Sequence, residues 1–316
     1  MKNAKNVDPT YTYTTIDPPD SANTIAFGIN DNGQIVGLYQ TSYRGPEYGF
    51  LDDNGTFTTI SVPGSNETFA TAINNKGQIV GGYYANGGEE GFLYSNGTYT
   101  TIDPPGSIQF TDPRSINDKG QIVGNYRDNN LIDHGYLYSD GHYTVLDNPN
   151  GIDTYAQDIN NKGQVVGSYL DTRGHLHGFF YDHGAYTTVD PLTSVYTTAT
   201  GTNFNGDVVG YFQERIGGPE QGFLYSGGKY TIIDFPGAKG TLAYGINDKG
   251  QIMGFYIDAT GNQHGFVDDH GNYTALELLS AISMNNKGQV VGYIHDPNPS
   301  TDHDHGMLAS LNWVHL

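Results

Sequence analysis

The chain has 316 residues and sets 34 acidic side chains against 14 basic ones, a formal charge of −20, which argues against nucleic acid or an anionic membrane as partner, because such partners draw clustered Lys and Arg. It has no cysteine, so disulfides, thiolate catalysis and zinc–cysteine sites are excluded. With 44 Gly, 14 Pro and 25 Tyr, and 36% hydrophobic residues, it has the composition of many short strands parted by tight turns, and it is too aromatic for disorder.

Residues 1–10 read as a disordered leader, since no apolar stretch follows Lys2 and Lys5. No apolar run approaches the roughly 18 residues a membrane helix needs, so no membrane insertion is expected. Tyr11 to Asp17 is the first strand. A phrase of the form Asn-Asn-Lys-Gly-Gln-Ile-Val-Gly then returns seven times, with its turn glycine at Gly33, Gly77, Gly120, Gly163, Gly206, Gly250 and Gly288. The spacings are 44, 43, 43, 43, 44 and 38 residues, the length of a four-stranded propeller blade.

The second copy shows the grammar. Strand A is Thr68 to Ile73, the AB turn is Asn74 to Gly77, strand B is Gln78 to Tyr83, strand C is Gly91 to Tyr94, and strand D is Tyr99 to Asp103 after a Ser95-Asn96-Gly97 turn. The fold expected is all-β: a single seven-bladed β-propeller over 11–316 with four-stranded blades, its ring closed by the N-terminal strand, which hides the last open edge.

With His177-Gly178-Phe179 and His264-Gly265-Phe266 in place, the repeated phrase resembles the extracellular HAF-type repeat family, named for a His-Ala-Phe-like triplet. The resemblance runs from Tyr11 to about Leu311. It implies a secreted or surface bacterial protein, extracellular or periplasmic, and assigns no activity.

In a propeller the AB and CD hairpins lie on one face and the BC and DA loops on the other. The AB turns are nearly uniform between copies and the BC loops are diverse, so the BC/DA face is the working one. All five arginines, Arg44, Arg114, Arg127, Arg173 and Arg215, fall on that side, which suits recognition of anionic groups. Strand A usually reads Thr, apolar residue, Ala. The third copy departs with Thr111-Asp112-Pro113-Arg114, and the fourth has Thr154-Tyr155-Ala156-Gln157-Asp158, so Asp112, Arg114, Tyr155, Gln157 and Asp158 are expected at the channel mouth. Arg44, Arg173, Arg215 and Tyr244 join them as ligand-binding candidates.

His134, His177, His264 and His305 recur at one register, before the Gly of strand C, which favours a bond from the ring to a neighbouring loop. His295, Asp302, His303 and His305 belong to the densest polar cluster and are the candidates to hold a divalent cation, calcium or zinc, although their spacing matches no zinc helix motif or EF-hand loop.

The function expected is binding of an acidic or hydroxyl-rich small molecule or glycan, by a monomer. The alternative is an enzyme on the same face. A uronate polysaccharide lyase would use Arg114 or Arg127 to neutralise the carboxylate, with His177 or His134 and Tyr155 as proton carriers. A metal-dependent ester, lactone or phosphoester hydrolase would use the His295 to His305 loop or Asp112 and Asp158.

Overall fold

A computed structural model describes residues 10–85, 87–108, 110–192, 194–296 and 303–312. The leader up to residue 9, Asp302 and Trp313 to Leu316 lie outside the described residues. No helix among the described residues is long and apolar enough to cross a membrane.

The strands follow the repeat. In the second copy they run Glu67–Ile73, Ile79–Ala85, Gly88–Ser95 and Thr98–Ile102. Strand C thus begins three residues before the position expected from the sequence. The CD hairpins turn on residue pairs with positive φ, such as Asn54 (φ 53°) with Gly55 (φ 90°) and Asn96 (φ 49°) with Gly97 (φ 82°), the two-residue geometry whose twist matches the strands it joins.

The expectation of seven separate four-stranded blades needs correction. Five four-stranded blades stand in the ring as sheets of their own, whereas the strands of the fourth and fifth repeats share one eight-stranded sheet. The cause is local: Leu176, at the start of strand C of the fourth repeat, forms a parallel bridge with Tyr196, at the start of strand A of the fifth. The role given to the N-terminal strand is corrected as well. Thr10–Thr15 pairs antiparallel with Asp304–Asn312 inside a single blade, as its outermost strand, far from the axis.

The bonds that pass around the whole circle are made by the AB turns instead. Each repeat places one buried Asn at its turn: Asn30, Asn74, Asn117, Asn160, Asn203, Asn247 and Asn285. Its Nδ2 donates to the backbone carbonyl of the next Asn, at 2.8 to 3.2 Å, and Asn285 returns to Asn30. Its Oδ1 accepts two backbone N–H groups of its own turn, as Asn74 does from Lys76 and Gln78. Side-chain capture of local backbone in this way makes a tight turn without a hydrogen-bonding cost.

The residue after each of these forms a second, outer ring. Around the axis these are Asp31, Asn75, Asp118, Asn161, Phe204, Asp248 and Asn286. Asn75 Nδ2 donates to both Asp31 and Asp118, and Asn286 Nδ2 to both Asp31 and Asp248. Phe204 has no such group and lies under the Lys162 ammonium, 4.8 Å from its ring centroid.

The apolar core lies between neighbouring repeats. Val36 of the first, for example, packs with Ile60, Ala70, Ile79 and Phe92. A fully buried aromatic side chain of strand C, such as Phe50, Phe92 or Phe179, contributes about 2–3 kcal/mol by burial.

Candidate functional site at the wide end of the axial channel

Strand A is the innermost strand, and in each repeat its pairing with strand B skips one residue. The skips fall between Ala26 and Gly28, Ala70 and Ala72, Pro113 and Ser115, Ala156 and Asp158, Ala199 and Gly201, Ala243 and Gly245, and Ala281 and Ser283. A bulge re-aims the extra side chain. The extra residues are Phe27, Thr71, Arg114, Gln157, Thr200, Tyr244 and Ile282, and all of them line one axial cavity of about 850 Å3. Ile29, Ile73, Ser115, Ile116, Asp158, Ile246 and Met284 line both this cavity and a smaller one of about 190 Å3 at the AB turns, so a mainly apolar collar, interrupted by Ser115 and Asp158, lies between the two.

Carboxylates outnumber cations in the larger cavity. Its lining holds Glu47, Glu89, Asp112 and Asp158 with Arg114, and no histidine, among the described residues. Arg114 Nη2 is ion-paired with Asp112, which is buried. Burial raises the Asp112 carboxyl, and Arg114 opposes that shift. Glu89 accepts from the Tyr84 hydroxyl at 3.0 Å, and burial followed by the Asp112 charge pushes its carboxyl up. Glu47 is raised by burial and then by Glu67. Tyr84 is pushed up to about 12, first by burial and then by Glu89.

Aromatic faces stand beside these acids. Tyr84 packs on Phe69 with centroids 6.2 Å apart, and Tyr244 lies between Tyr211 at 5.9 Å and Phe255 at 5.4 Å.

Asp158 sits deeper, where its carboxylate accepts from Ser115 Oγ at 2.7 Å and from the Thr202 N–H at 2.9 Å. Burial raises its pKa. A carboxyl whose folded pKa lies above its unfolded one contributes most below the unfolded value, near pH 4, and that contribution is lost as pH rises through the folded pKa. Asp158→Asn keeps the volume and removes the charge. Its melting temperature relative to wild type is expected to rise steadily from pH 4 to pH 7, and a difference independent of pH would contradict this.

The structure divides the residues expected from sequence into groups. Arg114, Asp112, Gln157, Asp158 and Tyr244 meet in the cavity. Arg127 and Tyr155 meet elsewhere: Arg127 chelates Asp133 through Nε at 2.7 Å and Nη2 at 3.0 Å, and the Tyr155 hydroxyl donates to the same carboxylate at 3.1 Å. His134 stacks on Tyr126 and bonds Asp147 through Nδ1 at 2.8 Å. His177 stacks on Tyr169 and bonds Asp190 at 2.6 Å.

Arg44 and Arg215 are exposed on BC loops, Arg44 over the Tyr43 ring, and Arg173 pairs with Asp171. In the last BC loop His295 bonds Asp304 at 2.9 Å, His305 bonds Asp17 at 2.7 Å, and the His303 carbonyl accepts from the Asp296 N–H. Reading the sequence missed Glu47, Phe69, Tyr84, Glu89 and Phe110. The residue following Thr-x-Ala, which five of the seven A strands keep, was the available signal for the channel ring.

No known family model matches the chain, and no curated protein does. Among solved structures it is similar to the β-propeller domain of the Trilobed protease from Pyrococcus furiosus, described as having an open velcro topology, with a TM-score of 0.63 and 10% identity over 93% of this chain and 99% of that one. It is similar to Pyrococcus horikoshii acylaminoacyl peptidase, TM-score 0.60 and 8% identity, over 92% of this chain and 52% of that one. It is also similar to TolB from Acinetobacter baumannii, TM-score 0.53 and 14% identity, over 82% of this chain and 65% of that one. At such identities the likeness is one of fold, and the fold is a β-propeller.

Proposed function

We propose that the protein is a binding propeller, secreted or displayed at a surface, that seats a hydroxyl-rich glycan in the wide end of its channel on the BC/DA face. The observation that carries this reading is the ring of bulge residues, which differ from one another around the axis and so shape an asymmetric cavity from a repetitive frame. Tyr84, Phe69 and Tyr244 offer flat apolar faces of the kind a sugar ring packs on, and Glu47, Glu89 and Asp158 offer acceptors for hydroxyl groups. The lone guanidinium in the lining, Arg114, is engaged by Asp112, so of the two ligand classes expected from sequence the polysaccharide is favoured over a strongly anionic ligand. The lyase reading drew on Arg114 or Arg127 with His177 or His134 and Tyr155, and of these five the described lining of the cavity holds Arg114 alone.

Calorimetric titration with neutral, amino-sugar and uronate oligosaccharides tests this. Saturable binding of neutral or amino-sugar chains is expected, weakened about tenfold by Tyr84→Ala, equivalent to about 1.4 kcal/mol. Binding confined to uronates and abolished by Arg114→Ala would overturn the neutral reading, and affinity untouched by both Tyr84→Ala and Tyr244→Ala would remove the channel as the site.

A further inference from the structure

Three repeats share one BC loop form, and one of them carries an addition. The loop begins at an Asp and reaches the strand C histidine six residues later: Asp128 to His134, Asp171 to His177, Asp258 to His264. In each, the Asp backbone N–H donates to the carbonyl four residues on, at 2.9 to 3.0 Å, and one carboxylate oxygen accepts the N–H groups two and four residues on. The other oxygen faces the histidine Nε2, at 3.6, 3.5 and 3.1 Å respectively. Recurrence of the pair marks it as a clamp on the loop. The fourth position after the Asp is Ile132 in one loop and Asn262 in another, but in the fourth repeat it is His175.

His175 Nδ1 lies 4.0 Å from Asp171 Oδ2, and the ligand atoms of Asp171, His175 and His177 are mutually within 4.8 Å. We propose that these three side chains bind a divalent transition-metal ion, zinc by the chemistry of the donor set. Four features of the arrangement support it.

Asp171 is pre-set, because Oδ1 is occupied by the loop N–H groups of Arg173 and His175 while Oδ2 is turned toward the imidazoles. His177 is oriented from behind: its Nδ1 bonds Asp190 at 2.6 Å, the carboxylate–histidine arrangement that fixes the tautomer of metal-ligating histidines. With its proton on Nδ1, Nε2 presents a lone pair on the side of Asp171 Oδ2, 3.5 Å away, so that a cation seated between them would be held by both. The scale also fits. Ligand atoms about 2.0–2.2 Å from a tetrahedral zinc stand roughly 3.4 Å from one another, so Asp171 and His177 are in place, and His175, whose side chain is 44% exposed, has room to close the remaining gap.

Arg173 Nε donates to Asp171 Oδ2 at 3.1 Å, but its side chain is 77% exposed and free to swing away as the ion enters. Three protein ligands leave a coordination position open toward solvent, as in zinc sites that take water or an incoming ligand. The site is independent of the channel reading.

The test is calorimetric titration of chelator-treated full-length protein with Zn2+ alone. About one equivalent is expected, lost or weakened at least tenfold in His175→Ala, while the melting temperature of that variant without metal stays at the wild-type value. Asn262→His restores the missing donor in the sixth repeat and is expected to add a second equivalent. Absence of saturable uptake by the wild type, or uptake that survives both His175→Ala and Asp171→Asn, would overturn the proposal.

Discussion

Gly167→Ala is expected to leave the protein unable to fold at 37 °C. A Cβ at Gly167 would stand 1.9 Å from the Tyr155 carbonyl oxygen and 2.9 Å from the Phe179 ring, a backbone overlap that no rotamer relieves. The same collision recurs in the other repeats, at 1.9 to 2.2 Å from a strand A carbonyl for Gly37, Gly81, Gly124, Gly210, Gly254 and Gly292. These glycines end the repeated Gln-Ile-Val-Gly phrase and oppose the bulge, where strand A presses toward strand B and, in six of the seven repeats, the strand C partner is a buried aromatic residue, Met307 taking that place in the seventh. Overpacking at a rigid site costs about 3 kcal/mol or more. Gly55→Ala is the control: there is nothing within 4 Å, only a φ of +90°, so about 1 kcal/mol is expected. Soluble yield and thermal melts of the two variants check this, and a Gly167→Ala protein that melts like Gly55→Ala would refute the steric account.

Asn160→Ala is expected to be the most damaging polar substitution. It removes the 2.8 Å bond to the Asn203 carbonyl, the bond to Gln164 Oε1 and the acceptor for the Lys162 and Gln164 N–H groups. It thereby opens the inter-repeat circle and strands buried backbone groups in one step. At about 1–3 kcal/mol for an unsatisfied buried group, a loss of about 3 kcal/mol is reasonable, or about 6 °C in melting temperature for a chain of this size. Asn161→Ala, one position outward, removes the Asn161 Nδ2 bond to Asp118 and the acceptor for the Asp118 N–H at an edge the solvent reaches, and should cost less than a third as much. Differential scanning calorimetry of the pair decides it, and equal losses would show that the inner circle is no more important than the outer.

The strands and the turns were legible in the sequence because each repeat states them again, so the Asn-x-x-Gly-Gln turn and the D strands could be read from spacing. The channel was legible only in part. A strand A bulge breaks the alternation of inward and outward residues at the very place where the channel residue sits, so Phe27, Thr71, Thr200 and Ile282 look like ordinary strand positions. Glu89 was missed because strand C begins three residues earlier than the apolar pattern suggests. The joining of the fourth and fifth repeats through Leu176 and Tyr196 depends on where a Pro-containing loop delivers the chain, and local sequence does not carry that. Asp112 and Arg114 were found because a departure from the chain's own pattern needs no structure to be seen.

The outer ring of turns has one more consequence, which is arithmetical. Asp and Asn alternate around it because each amide can donate to the carboxylates on both sides. Alternation of two kinds closes only on an even count, and the circle of turns has an odd one. Somewhere two like groups would have to meet, either a pair of carboxylates that repel or a pair of amides with one donor too many. Phe204 stands at that seam, between Asn161 and Asp248, and takes part in neither role. The ring therefore records the parity of its repeats in a single aromatic side chain, and a ring with one repeat more or one fewer would have no need of it.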